Sequence, residues 1–166
     1  MTTPEGGWYL KDARQWLRDR VDEGARCPCC TQWAQVYWRT INSGMAVSAI
    51  RLFRWQAEHD GEFAHLPTLL GRRSAEEAKL RYWGLVEEEA RVRPDGGRAG
   101  FWRLTAAGLE WVRGGIRLPC YVRVFDARAL GPPGDFSRSG KYRPPVSIRD
   151  ALGDKFDYEA LLRGEG

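Results

Sequence analysis

Histidine is almost missing from this chain, with only His59 and His65 among 166 residues. That scarcity removes most metal triads and Ser-His pairs, and neither histidine stands in an H-E-x-x-H or nucleophile setting. No glycine-rich piece ends in Lys followed by Ser or Thr, and DGGRAG lacks the strand-then-helix frame of a phosphate loop, so it reads as a turn. The carboxylates of Glu76–Glu77 and Glu87–Glu89 are adjacent in sequence and make no spaced catalytic dyad by themselves. The chain is therefore expected to be non-catalytic. Long apolar runs are absent too: nothing approaches the roughly 18 consecutive residues of a membrane span. The start, MTTPEGGWYL, has neither the basic flank nor the apolar core of a signal peptide. A soluble, cytoplasmic protein with no membrane partner is the expectation.

Aliphatic residues are also sparse. Leu, Ile, Val and Phe number 34 of 166, near the range where a chain fails to fold, but eight Trp and six Tyr add large buriable surfaces. One ordinary domain with appendages fits this length. The net charge of +4 invites a nucleic-acid partner, so its distribution matters. Residues 1–42, 43–113 and 114–166 carry +1, +1 and +2, a thin spread. One window departs from it: 128–149 holds Arg128, Arg138, Lys141, Arg143 and Arg149 against Asp135 alone.

The segment 1–42 reads as a helix, a cysteine turn and a strand. In residues 10–23, Leu10, Ala13, Leu17 and Val21 form one helical stripe beside Trp16, and Gly24 is the expected stop. Cys27-Pro28-Cys29-Cys30 follows, with proline inside a C-x-x-C spacing that can aim two thiolates at one zinc ion. No second C-x-x-C exists, so Cys29, Cys120, His59 and His65 are the candidates to complete a site. Zinc on Cys27 and Cys30 with Cys29 or Cys120 is one expectation, and reduced cysteines acting as small packing groups is the other. WAQVYWRTI is a candidate strand.

In 43–113, Ser43 is the expected N-cap of a helix with Met45, Ala49, Leu52, Phe53 and Gln56 on its core face and Val47, Arg51, Arg54 and Glu58 on its polar back. Pro67 suits the first turn of a short second helix. Ser74 and Glu77 have capping-box spacing and predict a third helix over SAEEAKLRYW, closed by Gly84. LVEEEARV and GFWRLT are strand candidates around a Pro-Asp-Gly-Gly turn, and Thr105 caps a fourth helix. In 114–166, IRLPCYVRVF alternates like a strand, to be paired either with this sheet or with WAQVYW. Pairing with WAQVYW is the only route seen to bring Cys120 toward Cys27 and Cys30. Ser147 with Asp150, and Asp157, open two short helices around the module.

The pieces LRYWGLVE and GFWRLTAAGLEWV resemble the passage from third helix to wing in winged-helix proteins, with Leu80, Gly84, Leu85, Trp102, Leu104, Thr105 and Gly108 as matching positions. From CPCC through NSGMA and LRYWGL to SIRDALGDKFDYEALL, about residues 25–163, the chain is similar to a group of phage and prophage winged-helix proteins. This resemblance implies an α+β fold: a winged helix-turn-helix core with an N-terminal helix and cysteine turn and a C-terminal strand and short-helix extension. It also implies a phage genetic setting, and it carries no activity with it. In DNA-binding winged helices the third helix enters the major groove and the wing touches the backbone. Arg72, Arg73, Lys79 and Arg81 near that helix, and Arg91, Arg93 and Arg98 around the wing, are the candidate contacts to duplex DNA. Glu76, Glu77 and Glu87–Glu89 on the same elements repel phosphate, so contact with a host or phage protein through the winged-helix surface stands as the alternative.

Overall fold

The computed structural model describes residues 7–72, 76–96 and 100–166. Its first helix, α1 (Leu10–Arg18), ends at Asp19, before the expected stop at Gly24. Of the predicted apolar stripe only Ala13 is buried, and Leu10 is 59% exposed, so α1 lies against the rest along a narrow contact. Two short antiparallel strands, β1 (Ala25–Arg26) and β2 (Trp33–Ala34), enclose the cysteine turn. The single strand expected over WAQVYWRTI is interrupted after Ala34. There the Val36 N–H donates to the Val21 carbonyl at 2.8 Å, and the strand resumes as β3 (Tyr37–Thr40).

The central helix, α2 (Ser43–Glu58), is capped by Asn42 rather than Ser43. Asn42 keeps an extended backbone, so its Oδ1 lies over the first turn and accepts the Met45 N–H at 2.9 Å, whereas Ser43 is already helical. Met45, Ala46, Val47, Ser48, Ala49, Ile50, Leu52 and Gln56 are all buried. Val47 was expected on the polar back. It is covered because helices from the C-terminal segment pack on that side.

Next come β4 (Ala64–His65) and α3 (Leu66–Leu70), with Pro67 in its first turn. The third helix, Glu77–Trp83, is a 3-10 helix and not the α-helix expected from Ser74, which lies outside the described residues. Three residues per turn stack Glu77, Leu80 and Trp83 on one side, and these are its buried residues. Gly84 closes it at φ 71°. Strands β5 (Val86–Glu88) and β6 (Phe101–Leu104) form an antiparallel hairpin with Val86 opposite Leu104. β4 adds to the other edge of β6, giving the order β4-β6-β5.

Thr105 caps α4 (Ala106–Val112), accepting the Gly108 N–H at 3.2 Å. Beyond it, β7 (Tyr121–Phe125) pairs antiparallel with β3 and turns through Asp126 and Ala127, both at positive φ, into β8 (Arg128–Ala129). Positive φ at both central residues is the geometry of a tight hairpin turn that follows strand twist. The chain ends in α5 (Ile148–Leu152) and α6 (Tyr158–Arg163). Ser147 and Asp150 complete the expected capping box on α5, and Asp157 caps α6. The fold is thus mixed α+β, with small sheets around α2. One cluster of buried side chains runs from Met45 through Trp111 and Val122 to Leu161, so the last segment completes the core. Among the described residues no helix is long and apolar enough to cross a membrane.

Two predictions follow from these contacts. A Cβ on Gly108 would lie 2.1 Å from the Leu85 carbonyl oxygen, so helix α4 seats directly on backbone. Gly108→Ala should cost about 3 kcal/mol in urea unfolding, while Gly134→Ala, with open space at its Cβ, should change stability by less than about 0.5 kcal/mol. The Asp150 carboxyl is held below its usual range by hydrogen bonds from the Ser147 N–H and hydroxyl, with Arg117 adding to the effect. A depressed folded-state value means its contribution is present above the unfolded-state range and is lost as pH falls through the folded value. Acid unfolding curves should therefore be flatter below about pH 4 for Asp150→Asn than for the parent chain.

Candidate functional site

The third helix, the β5–β6 hairpin and the β7–β8 turn meet on one side of the molecule. This surface is built over a buried carboxylate. Glu77, 1% exposed, accepts a hydrogen bond from Ser48 Oγ on α2 at 3.2 Å and an ion pair from Arg72 at 2.5 Å. Glu77 is therefore directed inward, and Ser74, its expected capping-box partner, lies outside the described residues. A charged group at this depth requires a partner of opposite sign. Arg72 serves as that partner while its own side chain stays half-exposed.

Three of the other predicted basic residues also face a carboxylate. Lys79 pairs with Glu76, Arg91 with Glu89 at 3.3 Å and Arg93 with Asp95 at 2.8 Å. Arg91 also lies over the Phe101 ring, 4.8 Å from its centre. Arg81 covers the Tyr82 ring and donates to the Ala127 carbonyl at 3.4 Å, which docks the β7–β8 turn against the helix end. Arg73 and Arg98 lie outside the described residues. Across 72–103 the sequence carries eight Arg or Lys against six Asp or Glu, Arg73 and Arg98 being among the eight.

Several residues of this surface were not singled out in the sequence. Arg103 pairs with Glu87 directly across the hairpin at 2.5 Å and lies over Phe63. Its alternation in GFWRLT opposite LVEEE is the signal that could have found it. A cavity of about 610 Å³ runs along β5, lined by Arg81, Val86, Glu88, Trp102, Asp126 and Arg128. Arg128, the first basic residue of the 128–149 window, reaches it only because β8 folds back on β7. Sequence spacing carries no sign of that approach.

The cysteines are separated. Cys27, Cys29 and Cys30 occupy the β1–β2 turn, with Cys29 and Cys30 exposed. Backbone N–H groups of Cys30 and then Cys29 hold the Cys27 thiol below its ordinary range. Cys120 is buried and donates to the Pro144 carbonyl at 3.1 Å, and burial pushes its thiol up. Pairing of the 120s with the YWRT strand does occur. The register sets Val124 opposite Tyr37 and Tyr121 opposite Thr40, which carries Cys120 to the end of β3 farther along the chain from the cysteine turn. The expected route for Cys120 into a shared zinc site is thereby closed. His59 stacks on Trp55 and contacts its carbonyl at 2.7 Å, and His65 contacts Thr68 Oγ1 at 2.6 Å. Among the described residues, no group of three or more His, Cys, Asp and Glu could hold a metal ion.

No protein-family model matches this chain, and neither a curated protein nor a solved structure matches it significantly.

The buried pair has a measurable consequence. Arg72→Met should destabilise the protein by about 2 kcal/mol, less than a fully buried pair because Arg72 is half-exposed. Arg91→Met and Arg93→Met, which break exposed pairs, should each cost less than about 1 kcal/mol. In a double-mutant cycle by urea unfolding, Arg72→Met should cost much less in a Glu77→Gln background. Equal costs in both backgrounds would separate Arg72 from the carboxylate.

Proposed function

We propose that residues 43–113 form a winged-helix module that acts by contacting another protein, in a non-catalytic chain of phage type working in the cytoplasm. The order helix, strand, two short helices and hairpin, with sheet order β4-β6-β5, supports the winged-helix reading. The observation that carries the choice of partner is the pairing of described cations on the third helix and hairpin with nearby carboxylates. Duplex binding draws its non-specific affinity from neutralised phosphates. On this surface Lys79, Arg91, Arg93 and Arg103 face nearby carboxylates, and Arg81 is engaged with the β7–β8 turn. A surface of matched charges around a groove suits the polar rim and mixed composition of a protein contact.

Duplex DNA through Arg72, Arg73, Lys79, Arg81, Arg91, Arg93 and Arg98 is the second reading, favoured by the same element order and by the basic composition. A fluorescence-anisotropy titration of labelled duplex at about 50 mM salt, where the non-specific term is strong, separates the two. The protein-contact reading expects no saturable binding tighter than about 1 μM under these conditions. Tighter binding would overturn it, provided the log–log salt slope shows about 0.9 per neutralised phosphate and flattens in Arg91→Ala and Arg93→Ala variants.

A further inference from the structure

We propose that the β3–β7 sheet and residues 134–143 beside it form a single-strand nucleic-acid site, separate from the protein contact assigned to the β5–β6 hairpin. The site starts from the alternation of β7. Val122 and Val124 point into the core, so Tyr121 and Arg123 take the opposite face, and the register with β3 adds Thr40 and Trp38 to it. Trp38 and Tyr121 meet edge to face with ring centres 6.4 Å apart, and Arg123 lies over Trp38 at 5.6 Å. Gly134 then pairs with Tyr121, and Phe136 pairs with Tyr142, so residues 134–143 form a small hairpin stitched to β7. The Ser137 N–H donates to the Lys141 carbonyl at 2.9 Å and closes its tip.

Two properties of this surface call for a polyanion that carries flat rings. The first is charge. Residues 128–149 hold five Arg or Lys against Asp135 alone. Arg149 pairs with Glu159 and Arg138 reaches Glu23 at 3.8 Å, but among the described residues no carboxylate forms an ion pair with Lys141 or Arg143. Cations without a local anion are available to neutralise phosphate, unlike Lys79, Arg91, Arg93 and Arg103 on the other surface. The second is exposed aromatic area. Phe136 and Tyr142 are 60% and 55% exposed with ring centres 5.5 Å apart, and Arg143 lies 6.0 Å from the centre of the Tyr121 ring. Such rings offer π-faces on which unpaired bases stack, with arginine adding cation–π attraction. A duplex keeps its bases in its own stack, so the rings favour a single strand. An acidic peptide answers the cations and leaves the rings unused. Beside them, Trp38 Nε1 and Arg123 Nε are buried donors with no acceptor, a demand that an acceptor-rich ligand entering past the partly exposed Arg123 side chain meets.

The test is a fluorescence-anisotropy titration of the full chain with a labelled oligothymidylate of about 20 nucleotides at about 50 mM salt, beside a duplex of the same length. The expected result is saturable single-strand binding tighter than about 10 μM, with the duplex bound at least about tenfold more weakly. Phe136→Leu with Tyr142→Leu keeps apolar bulk and removes both rings, and should weaken single-strand binding by about tenfold or more. Lys141→Gln with Arg143→Gln should flatten the log–log salt slope by about 1.4, at about 0.7 per phosphate. Arg91→Ala with Arg93→Ala should leave single-strand binding unchanged, so failure of this site and failure of the hairpin contact read out separately. No saturable binding, a duplex bound as tightly as the strand, or full binding by the Leu pair each overturns the proposal. Polyglutamate that displaces the strand at equal charge overturns it in favour of an acidic protein. Loss in the Arg91 and Arg93 pair with retention in the Leu pair moves the site to the β5–β6 hairpin and overturns it as well. Phe136, Lys141, Tyr142 and Arg143 are all exposed, so circular dichroism of these variants should coincide with that of the parent chain.

Discussion

The whole arrangement depends on a backbone N–H that has no strand to go to. Leu104 ends β6, and in the β5–β6 register its N–H points to the opposite edge, where β4 would have to continue past Ala64 to accept it. β4 is only two residues long. Gln56 on α2 fills the gap, its Oε1 accepting the Leu104 N–H at 2.7 Å in a buried position. The carboxamide stands in for the missing strand, and a polar residue therefore lies on the core face of the helix. An orphaned buried N–H would cost about 1–3 kcal/mol, so this one bond ties the helix to the sheet at fixed height and rotation. Once α2 is set against β6, Leu85 and Gly108 can approach at backbone distance, and α4 follows.

The same logic of satisfaction explains the charged surface. Glu77 is buried because the 3-10 helix turns it to the side of Leu80 and Trp83, where Ser48 and Arg72 meet it. Across the hairpin, Glu87 and Arg103 stand opposite each other, and Arg91 lies over Phe101. Each cation is thus placed by a local anion or ring. Such exposed pairs add little stability individually.

Local chemistry was legible in the sequence where a single side chain decides it. Thr105, the Ser147–Asp150 box, Asp157 and Gly84 act at their own helix ends, and the hairpin follows from two strands around a Pro-Gly turn. Choices set by distant packing were not legible. Asn42 and Ser43 are both good caps, and only the path out of β3 selects between them. Val47 counts as polar-face until α5 and α6 cover that side of α2. Glu77 carries capping-box spacing, yet a partner on α2, 29 residues away in sequence, claims it. For the cysteines, strand pairing was readable but register was not, and register alone decides which end of β3 Cys120 reaches.

The last step concerns what the C-terminal segment does to the surface it covers. Three aromatic side chains use a polar atom to hold it. Trp83 Nε1 donates to Pro119 O at 2.8 Å, Trp111 Nε1 to Val146 O at 3.3 Å, and Tyr158 OH to Val112 O at 2.7 Å. These bonds join the third helix and α4 to residues 119–158, while the rings supply apolar burial. As a result the C-terminal end of the third helix faces Pro119 and the β7–β8 turn, and its Arg81 lines the cavity beside β5. The cavity beside β5 lies between the hairpin and that turn. The extension thus sets the far wall of the cavity through Asp126 and Arg128.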